Sequence, residues 1–237
     1  MSEWKARRVW KTADLRPAQG GFEVMLDARV LRPPGKHPLV LPTEGLAASI
    51  AAEWQAQDDL IVPQTMPLTR AANSAVEKVA PQFDAVAAML AEYGGTDLLS
   101  YRATEPEVLI RRQAQGWDPL IDWSATHLAA PLRITHGVIP VDQDPAALAR
   151  LHARVRALDL WGLTALHDLV TIPGSLILGL AVVEGRIDAP DAHRLSRIDE
   201  DFQAERWGSD EEAAEAAEGR LVAILSAERL WHLSRRG

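Results

Sequence analysis

Polar and apolar residues alternate over the first forty positions of the chain. The stretch FEVMLDARVLR predicts a β-hairpin with strands over residues 22–26 and 29–32 and a turn at Asp27 and Ala28. HPLVLP predicts another strand. KARRVWKT predicts an edge strand, because its basic side chains would discourage mispairing with another sheet. The N-terminal part is therefore expected to contain a small sheet.

After this part, apolar residues recur at the spacing of an α-helix. Leu46, Ile50 and Trp54 form one stripe that begins after Thr43, a residue type that favours the helix N-cap. The next helix is expected after the loop at Pro63. Thr65 is its predicted cap, and Pro67 lies in its first turn.

The rest of the chain has an almost wholly helical pattern. A helix is predicted over residues 81–93, and others begin at Asp144, Ser175 and Asp188. Asp118-Pro119 predicts either a second helix start or a kink. The pattern as a whole predicts an α+β fold. Residues 1–98 are expected to form a small β-rich N-terminal domain with helices, and residues 99–237 a mostly α-helical C-terminal domain.

Composition restricts the classes of partner and the compartment. The formal net charge of −8 opposes binding to nucleic acid or to an anionic membrane surface. There is no cysteine, which fits a reducing compartment. The longest apolar stretch, SLILGLAVV, is too short to span a bilayer, and MSEWKARRVW lacks the apolar run of a signal peptide. We expect a cytoplasmic protein, or a mature chain whose targeting segment has been removed, without nucleic-acid or membrane partners.

No segment has the spacing of a well-defined catalytic motif. The two Gly-Gly pairs lack phosphate-loop spacing, and Ser175 fits a helix cap better than a nucleophile. A second hypothesis is a helical metal-dependent phosphohydrolase, because imidazoles and carboxylates from separate helices can hold a divalent ion. Its ligands would be His152, His167, Asp168 and Asp199, and the simpler alternative is that these residues lie on helix surfaces.

Tryptophan is unusually frequent, with eight residues against two tyrosines and three phenylalanines. Several lie beside acids or amides, namely Trp54, Trp117, Trp123 and Trp207. Such a tryptophan suits either a core position with a bonded indole N–H or an interface anchor. The helical stripe favours the core for Trp54, and both alternatives stay open for Trp207.

Four blocks occur in one order along the chain: LAASIAAEWQAQDDLIVPQTMPLTRAANSAVEKV, GGTDLLSYRA, QGWDPLIDW and GSLILGLAVVEGRIDAPDAHRLSRIDEDFQAERWG. In this order and spacing they resemble the signature of the assembly chaperones for the alpha subunit of F-type ATP synthase. The likeness extends from about Leu39 to Gly208 and fades beyond it. Its motif residues are Trp54, Gln57, Pro67, Thr69, Asp97, Tyr101, Arg102, Trp117 and Trp123.

The resemblance implies a chaperone that is not an enzyme and needs no cofactor or metal. Such a protein would bind the unassembled alpha subunit and shield its beta-contacting surface until the catalytic head assembles. It would be monomeric when free. It would work in the cytoplasm of a bacterium, or in the mitochondrial matrix of a eukaryote.

The resemblance also places a functional acidic position within IDEDFQAERWGSDEE. The expected partner-binding residues are Glu200, Gln203, Glu205, Trp207, Asp210 and Glu211, and the alternative for each acid is a solvated helix end. Asp97 and Arg102 are expected to form a structural ion pair. The polar segment around Trp54 is interpreted as a scaffold tied by Gln55, Gln57, Thr69 and Asn73.

Overall fold

The computed structural model describes residues 6–137, 139–208 and 210–235. An antiparallel sheet of order β1-β2-β3 is formed by β1 Ala13–Ala18, β2 Gly21–Leu26 and β3 Arg29–Val30. Leu26 pairs with both Ala13 and Arg29, so the predicted hairpin is confirmed with a shorter second strand. β1 lies at the sheet edge, where Pro17 is tolerated because its missing N–H faces no neighbouring strand.

The other two predicted strands are wrong. Residues 6–12 form only a bridge between Arg7 and Leu60. HPLVLP contributes a single antiparallel bridge, between Leu41 and Phe22, and its Leu39 and Leu41 side chains are buried. Its apolar pattern therefore reflects packing against the sheet, and a full strand ladder does not form.

Helices make up most of the remaining described chain. The first five are α1 Glu44–Gln55, α2 Pro67–Ser74, α3 Phe83–Glu92, α4 Glu107–Thr126 and α5 Pro145–Arg156. The next five are α6 Leu160–Thr171, α7 Leu176–Val183, α8 Ala189–Ser196, α9 Ile198–Trp207 and α10 Glu211–Leu233. Two short parallel strands, β4 Tyr101–Arg102 and β5 Thr135–His136, pair separately. The α+β class is confirmed.

Four of the helices are capped, as predicted, by the residue that precedes them in the sequence. Side chains of Thr43, Asp144, Ser175 and Asp188 each accept an amide N–H from the first turn of the following helix. Thr65 does not cap α2, because it ends a 3₁₀ turn over Pro63–Thr65. Of the two alternatives at Asp118-Pro119, the second helix start is wrong, since α4 continues through both residues, and the kink stays a prediction.

Two hydrophobic clusters form the core. The first lies between the sheet, α1 and α2, and it also receives Trp161 and Ala165 from α6 and Leu230 from α10. The second gathers α3 to α8 around α7, of which Leu176 to Val182 are all buried. The two-domain division with its boundary at residues 98 and 99 stays a prediction. Within the described ranges no helix has the length and apolarity needed to cross a membrane.

Candidate functional site

The polar segment after α1 is organised by the carboxylate of Glu53. Glu53 Oε1 accepts the Leu68 amide at 2.8 Å, and Oε2 accepts the amide and hydroxyl of Thr69 at 2.8 and 2.7 Å. A carboxylate at this position satisfies orphan donors and complements the positive end of the α2 dipole. Glu53 thus performs the capping that the sequence assigned to Thr65. Pro67, which is the first residue of α2, lies beside this contact.

Gln57 holds the loop between α1 and α2. Its Nε2 donates to the Glu53 carbonyl at 3.1 Å and to Thr65 Oγ1 at 3.0 Å, and its Oε1 accepts the Val62 amide at 2.7 Å. Gln57 is itself buried, so these bonds replace lost hydration. The scaffold interpretation is supported for Gln57 and Thr69.

The other two amides of this segment behave differently. Gln55 Oε1 accepts the Ala13 amide at 2.7 Å and so ties α1 to the start of β1. Asn73 takes no part in the hydrogen bonds around Glu53 and Gln57.

Trp54 is half-buried against the first hydrophobic cluster. Its ring meets that of Trp10 edge to face, with centroids 5.1 Å apart. This geometry is favourable for aromatic pairs, and it joins α1 to the segment before β1.

Asp97 lies fully buried at the N-terminus of α7. Its carboxylate accepts the Ser175 hydroxyl at 2.7 Å, the Ile177 amide at 3.0 Å and the Leu99 amide at 3.0 Å. Burial raises the pKa of Asp97 to about 6, and the hydrogen bonds from Ile177, Ser175 and Leu99 partly oppose that rise. The group therefore joins the segment before β4 to the central helix.

The predicted ion pair between Asp97 and Arg102 is wrong. The donors of Ser175 and the α7 amides occupy Asp97, while Arg102 Nη1 pairs with Asp118 at 2.7 Å and Nε donates to the Leu99 carbonyl at 2.8 Å. The guanidinium also lies over the Trp117 ring, 5.3 Å from its centroid.

The remaining family-motif residues are structural in their contacts. Trp117 is fully buried and its indole N–H donates to the Leu195 carbonyl at 2.9 Å. Half-buried Trp123 stacks on His127 with centroids 5.3 Å apart. Tyr101 is half-buried in β4 and pairs with Thr135.

The six predicted partner-binding residues are exposed on α9 and at the start of α10, and we term this set the acidic surface. Glu200 accepts from Arg197 at 2.5 Å and from Arg220 of α10 at 2.9 Å. Glu205 pairs with Arg112 of α4 at 2.8 Å. The hydrogen bond from Arg112 lowers the pKa of Glu205, which keeps this carboxylate ionised. Gln203, Asp210 and Glu211 are exposed as well.

Trp207 projects from the end of α9 with 73% of its surface exposed. Gly208 follows with a positive φ of 89°, which ends the helix at that point. Phe202, one and a half turns earlier, is buried beneath Arg112 and Arg206 at 5.5 and 4.9 Å. The two aromatic residues of α9 thus differ: Phe202 fixes the helix, and Trp207 faces solvent.

The metal hypothesis lacks the necessary geometry. His167 Nδ1 lies 2.8 Å from Asp168 Oδ1, but Asp199 is bound by Gln113 at 2.7 Å. Across residues 6–137, 139–208 and 210–235, no three His, Cys, Asp or Glu side chains are grouped to hold a metal ion. The four proposed ligands, including His152, therefore do not form a metal site together.

Sequence reasoning missed the cations that position the acidic surface. Arg197 lies three and four residues before Glu200 and Asp201, so helical spacing alone indicates its two ion pairs. Arg112 and Glu205 are 93 residues apart, and no local pattern joins them.

The chain is similar to known proteins of one family. A family model described as ATP12 chaperone protein matches residues 7–125, about half of the chain, which places the protein among chaperones. The chain belongs to the ATP12 chaperone family. The resemblance seen in the four sequence blocks is therefore confirmed.

Similar proteins come from bacteria and from a yeast. Atp12 from Paracoccus denitrificans is 69% identical, with a TM-score of 0.95 over 98% of this chain and 100% of that one. A putative chaperone from Agrobacterium tumefaciens, Atu1473, is 36% identical, with a TM-score of 0.91 over 95% of this chain and 85% of its own. Mitochondrial protein atp12 of Schizosaccharomyces pombe is 26% identical over 88% of this chain and 76% of the yeast protein.

Proposed function

We propose that this protein binds the unassembled alpha subunit of F-type ATP synthase and shields its beta-contacting surface until the catalytic head assembles. Membership of the ATP12 chaperone family carries the proposal. A free subunit interface is a large apolar surface that is prone to aggregation, and a chaperone that covers it keeps the subunit competent for assembly. This function requires no catalysis, metal or cofactor.

The acidic surface is the proposed contact with the alpha subunit. Its proposed residues are Glu200, Gln203, Glu205, Trp207, Asp210 and Glu211. Trp207 supplies an exposed aromatic anchor of the kind that dominates binding energy at interfaces. The surrounding carboxylates steer encounter through long-range attraction, which leaves the complex exchangeable.

Different acids contribute differently. Glu200 and Glu205 already pair with arginines of this chain on α10 and α4, so less of their charge is available to a partner. Asp210 and Glu211 are exposed and form no ion pair with any described residue, which leaves their charges available to a partner. Trp207, Asp210 and Glu211 are therefore the positions to test.

Co-expression with the alpha subunit tests the proposal. The wild-type protein should raise the soluble yield of alpha subunit and co-purify with it, whereas Trp207→Ala and the double variant Asp210→Lys with Glu211→Lys should lose the complex. Asp58→Lys with Glu92→Lys is the matched control, because it reverses two exposed acids away from this surface. No complex and no gain in soluble alpha subunit with the wild-type protein would exclude the function.

The free protein is proposed to be a monomer, in the cytoplasm of a bacterial source or in the mitochondrial matrix of a eukaryotic one. Light scattering of the purified chain measures its mass directly. A stable homo-oligomer would contradict the monomer and favour an oligomeric scaffold instead.

A further inference from the structure

A groove with a volume of about 600 Å³ opens between α2, α3, α6 and α10. It shares no residue with the acidic surface. One wall is a single face of α10, because its members recur at three- and four-residue spacing: Gly219, Val222, Ala223, Ser226, Ala227 and Leu230. The size lies within the range of about 300–1,000 Å³ that is typical of ligand sites.

The opposite wall is formed by α2 and the π-helical turn Ala75–Val79 that follows it. It contributes Ala71 and Ser74 to the lining, and the α10 wall contributes the small side chains of Ala223 and Ser226. Side chains this short leave room between two helical walls for the larger side chains of a third segment. Buried Thr164 and Ala165 of α6 lie at the bottom.

The groove combines apolar side chains with a polar rim, since Gln64, Arg70, Lys78 and Gln82 are exposed along it. Val222 on the α10 wall is 53% exposed, and Val86 and Met89 of α3 line the far end. Covering these side chains would be favourable by about 25 cal/mol for each Å² of apolar surface removed from water.

The charges on the groove are uneven. Four ionisable side chains line it: Arg70, Lys78, His167 and Asp168. Asp168 lies against His167 at 2.8 Å, but Arg70 and Lys78 are exposed and form no ion pair with any residue in the described ranges. Two cations against the one carboxylate of Asp168 leave a net positive charge on the groove of a chain whose net charge is −8, and this favours a negatively charged occupant.

We propose that the groove binds an acidic amphipathic helix of a client protein. Its apolar face would lie between the α2 and α10 walls, as in other helix-in-groove complexes. Its flanking carboxylates would meet Arg70 and Lys78, which are eight residues apart and so about 12 Å along the helical wall. The inference rests on the proposed function only for the source of the helix, and the groove can be tested without the alpha subunit.

The direct test uses synthetic peptides and fluorescence anisotropy. The probe is an amphipathic peptide of about 14 residues with leucines at helical spacing and glutamates on the flank. Matched peptides carry lysine in place of glutamate, or the same residues in scrambled order. The glutamate peptide should bind at least about ten times more tightly than the lysine peptide or the scrambled peptide, and added salt should weaken its binding.

Two groove variants should weaken binding of the glutamate peptide by about tenfold or more. Ser226→Trp fills the space in the groove, and Arg70→Glu with Lys78→Glu reverses the charge of its rim. Ala213→Trp, exposed on α10 outside the groove, controls for added bulk. Arg29→Glu with Arg186→Glu controls for charge. Each variant must first keep the wild-type melting temperature, and Ala223→Trp replaces Ser226→Trp if that one unfolds. Absence of binding, equal binding by all variants, or preference for the lysine peptide would overturn the proposal.

A parallel arm separates this inference from the proposed function. Peptide binding without binding to the alpha subunit would sustain the groove and reject the proposed client. Binding to the alpha subunit that is unchanged in both groove variants, with no peptide binding, would reject the groove and leave the proposed function standing. A wild-type dimer that Ser226→Trp dissociates would identify a second copy of the chain as the occupant and overturn the client helix.

Discussion

At the scale of single residues, Asp97 experiences two opposing influences on its ionisation. Burial penalises the charged carboxylate, while donors from Ser175, Ile177 and Leu99 favour it. The pKa of about 6 means that the folded protein keeps a proton on Asp97 between about pH 4 and pH 6, where the unfolded chain has already released it.

Asp97→Ala should lower the free energy of unfolding by about 3 kcal/mol at pH 7, because it leaves buried donors without an acceptor. The raised pKa stabilises the folded wild type at low pH, and this contribution is lost as the pH rises through about 6. The loss in the variant should therefore be about 2 kcal/mol greater at pH 4.5 than at pH 7.

Urea unfolding of both proteins across this pH range measures the difference, and the titrations common to both cancel. Asp58→Ala, which alters an exposed acid, is the control. A difference that grows towards pH 7 would contradict the raised pKa.

Trp54→Arg should cause misfolding, because it removes the edge-to-face contact with Trp10 and brings a charge against the first hydrophobic cluster. The expected cost is about 3 kcal/mol or more. Soluble yield and melting temperature are the measurements. The same substitution at exposed Trp207 is the matched control and should leave both unchanged. Normal yield and melting of Trp54→Arg would refute the prediction.

At the scale of elements, α2 depends on α1 for its start. Met66 occupies the N-cap position of α2 without a side-chain cap, and the Glu53 carboxylate supplies the acceptors from the neighbouring helix. The same contact fixes the angle at which α2 leaves the loop, and α2 is one wall of the groove.

Glu53→Ala should destabilise the protein by about 2 kcal/mol and speed amide exchange at Leu68 and Thr69, because both amides lose their acceptor. Hydrogen exchange followed by NMR reports the two sites individually. Glu92→Ala, an exposed acid at the end of α3, should change neither quantity. If exchange at Leu68 stays slow in Glu53→Ala, the capping contact does not stabilise α2.

The features that the sequence predicts are those whose physical cause is local. Thr43 and Ser175 cap helices that begin within three residues of them, and their signals are visible without the fold. Glu53 acts on an amide 15 residues away, and Arg112 acts on Glu205 across 93 residues. Such partners are set by packing, which also explains why Arg102 pairs with Asp118 and not with Asp97. β1 was not predicted, although Ala13, Asp14, Leu15 and Arg16 alternate between apolar and polar side chains.

At the scale of the whole molecule, two helices supply both hydrophobic clusters. α6 gives Trp161 and Ala165 to the first cluster and Leu163 to the second, and α10 gives Leu230 to the first and Ile224 to the second. Neither cluster is complete without α6 and α10. Unfolding of one cluster should therefore disrupt the other cluster as well.

Thermal unfolding should therefore show one cooperative transition. Calorimetric and van't Hoff enthalpies should agree, and tryptophan fluorescence and far-UV circular dichroism should give the same midpoint. Trp161→Ala should lower that single midpoint without splitting it, because Trp161 belongs to the cluster that α6 shares. Two resolved transitions would mean that the clusters unfold independently.

The position of Leu230 has a consequence for synthesis on the ribosome. Leu68 and Leu230 belong to the same cluster, and Thr43 Oγ1 donates to the Leu233 carbonyl at 2.5 Å. At translation rates of about 5–20 residues per second, Leu230 is made roughly 10 to 30 seconds after Leu68. For that interval the sheet, α1 and α2 lack the α10 side chains that cover part of their apolar surface. A member of a chaperone family therefore exposes apolar surface of its own while it is being synthesised.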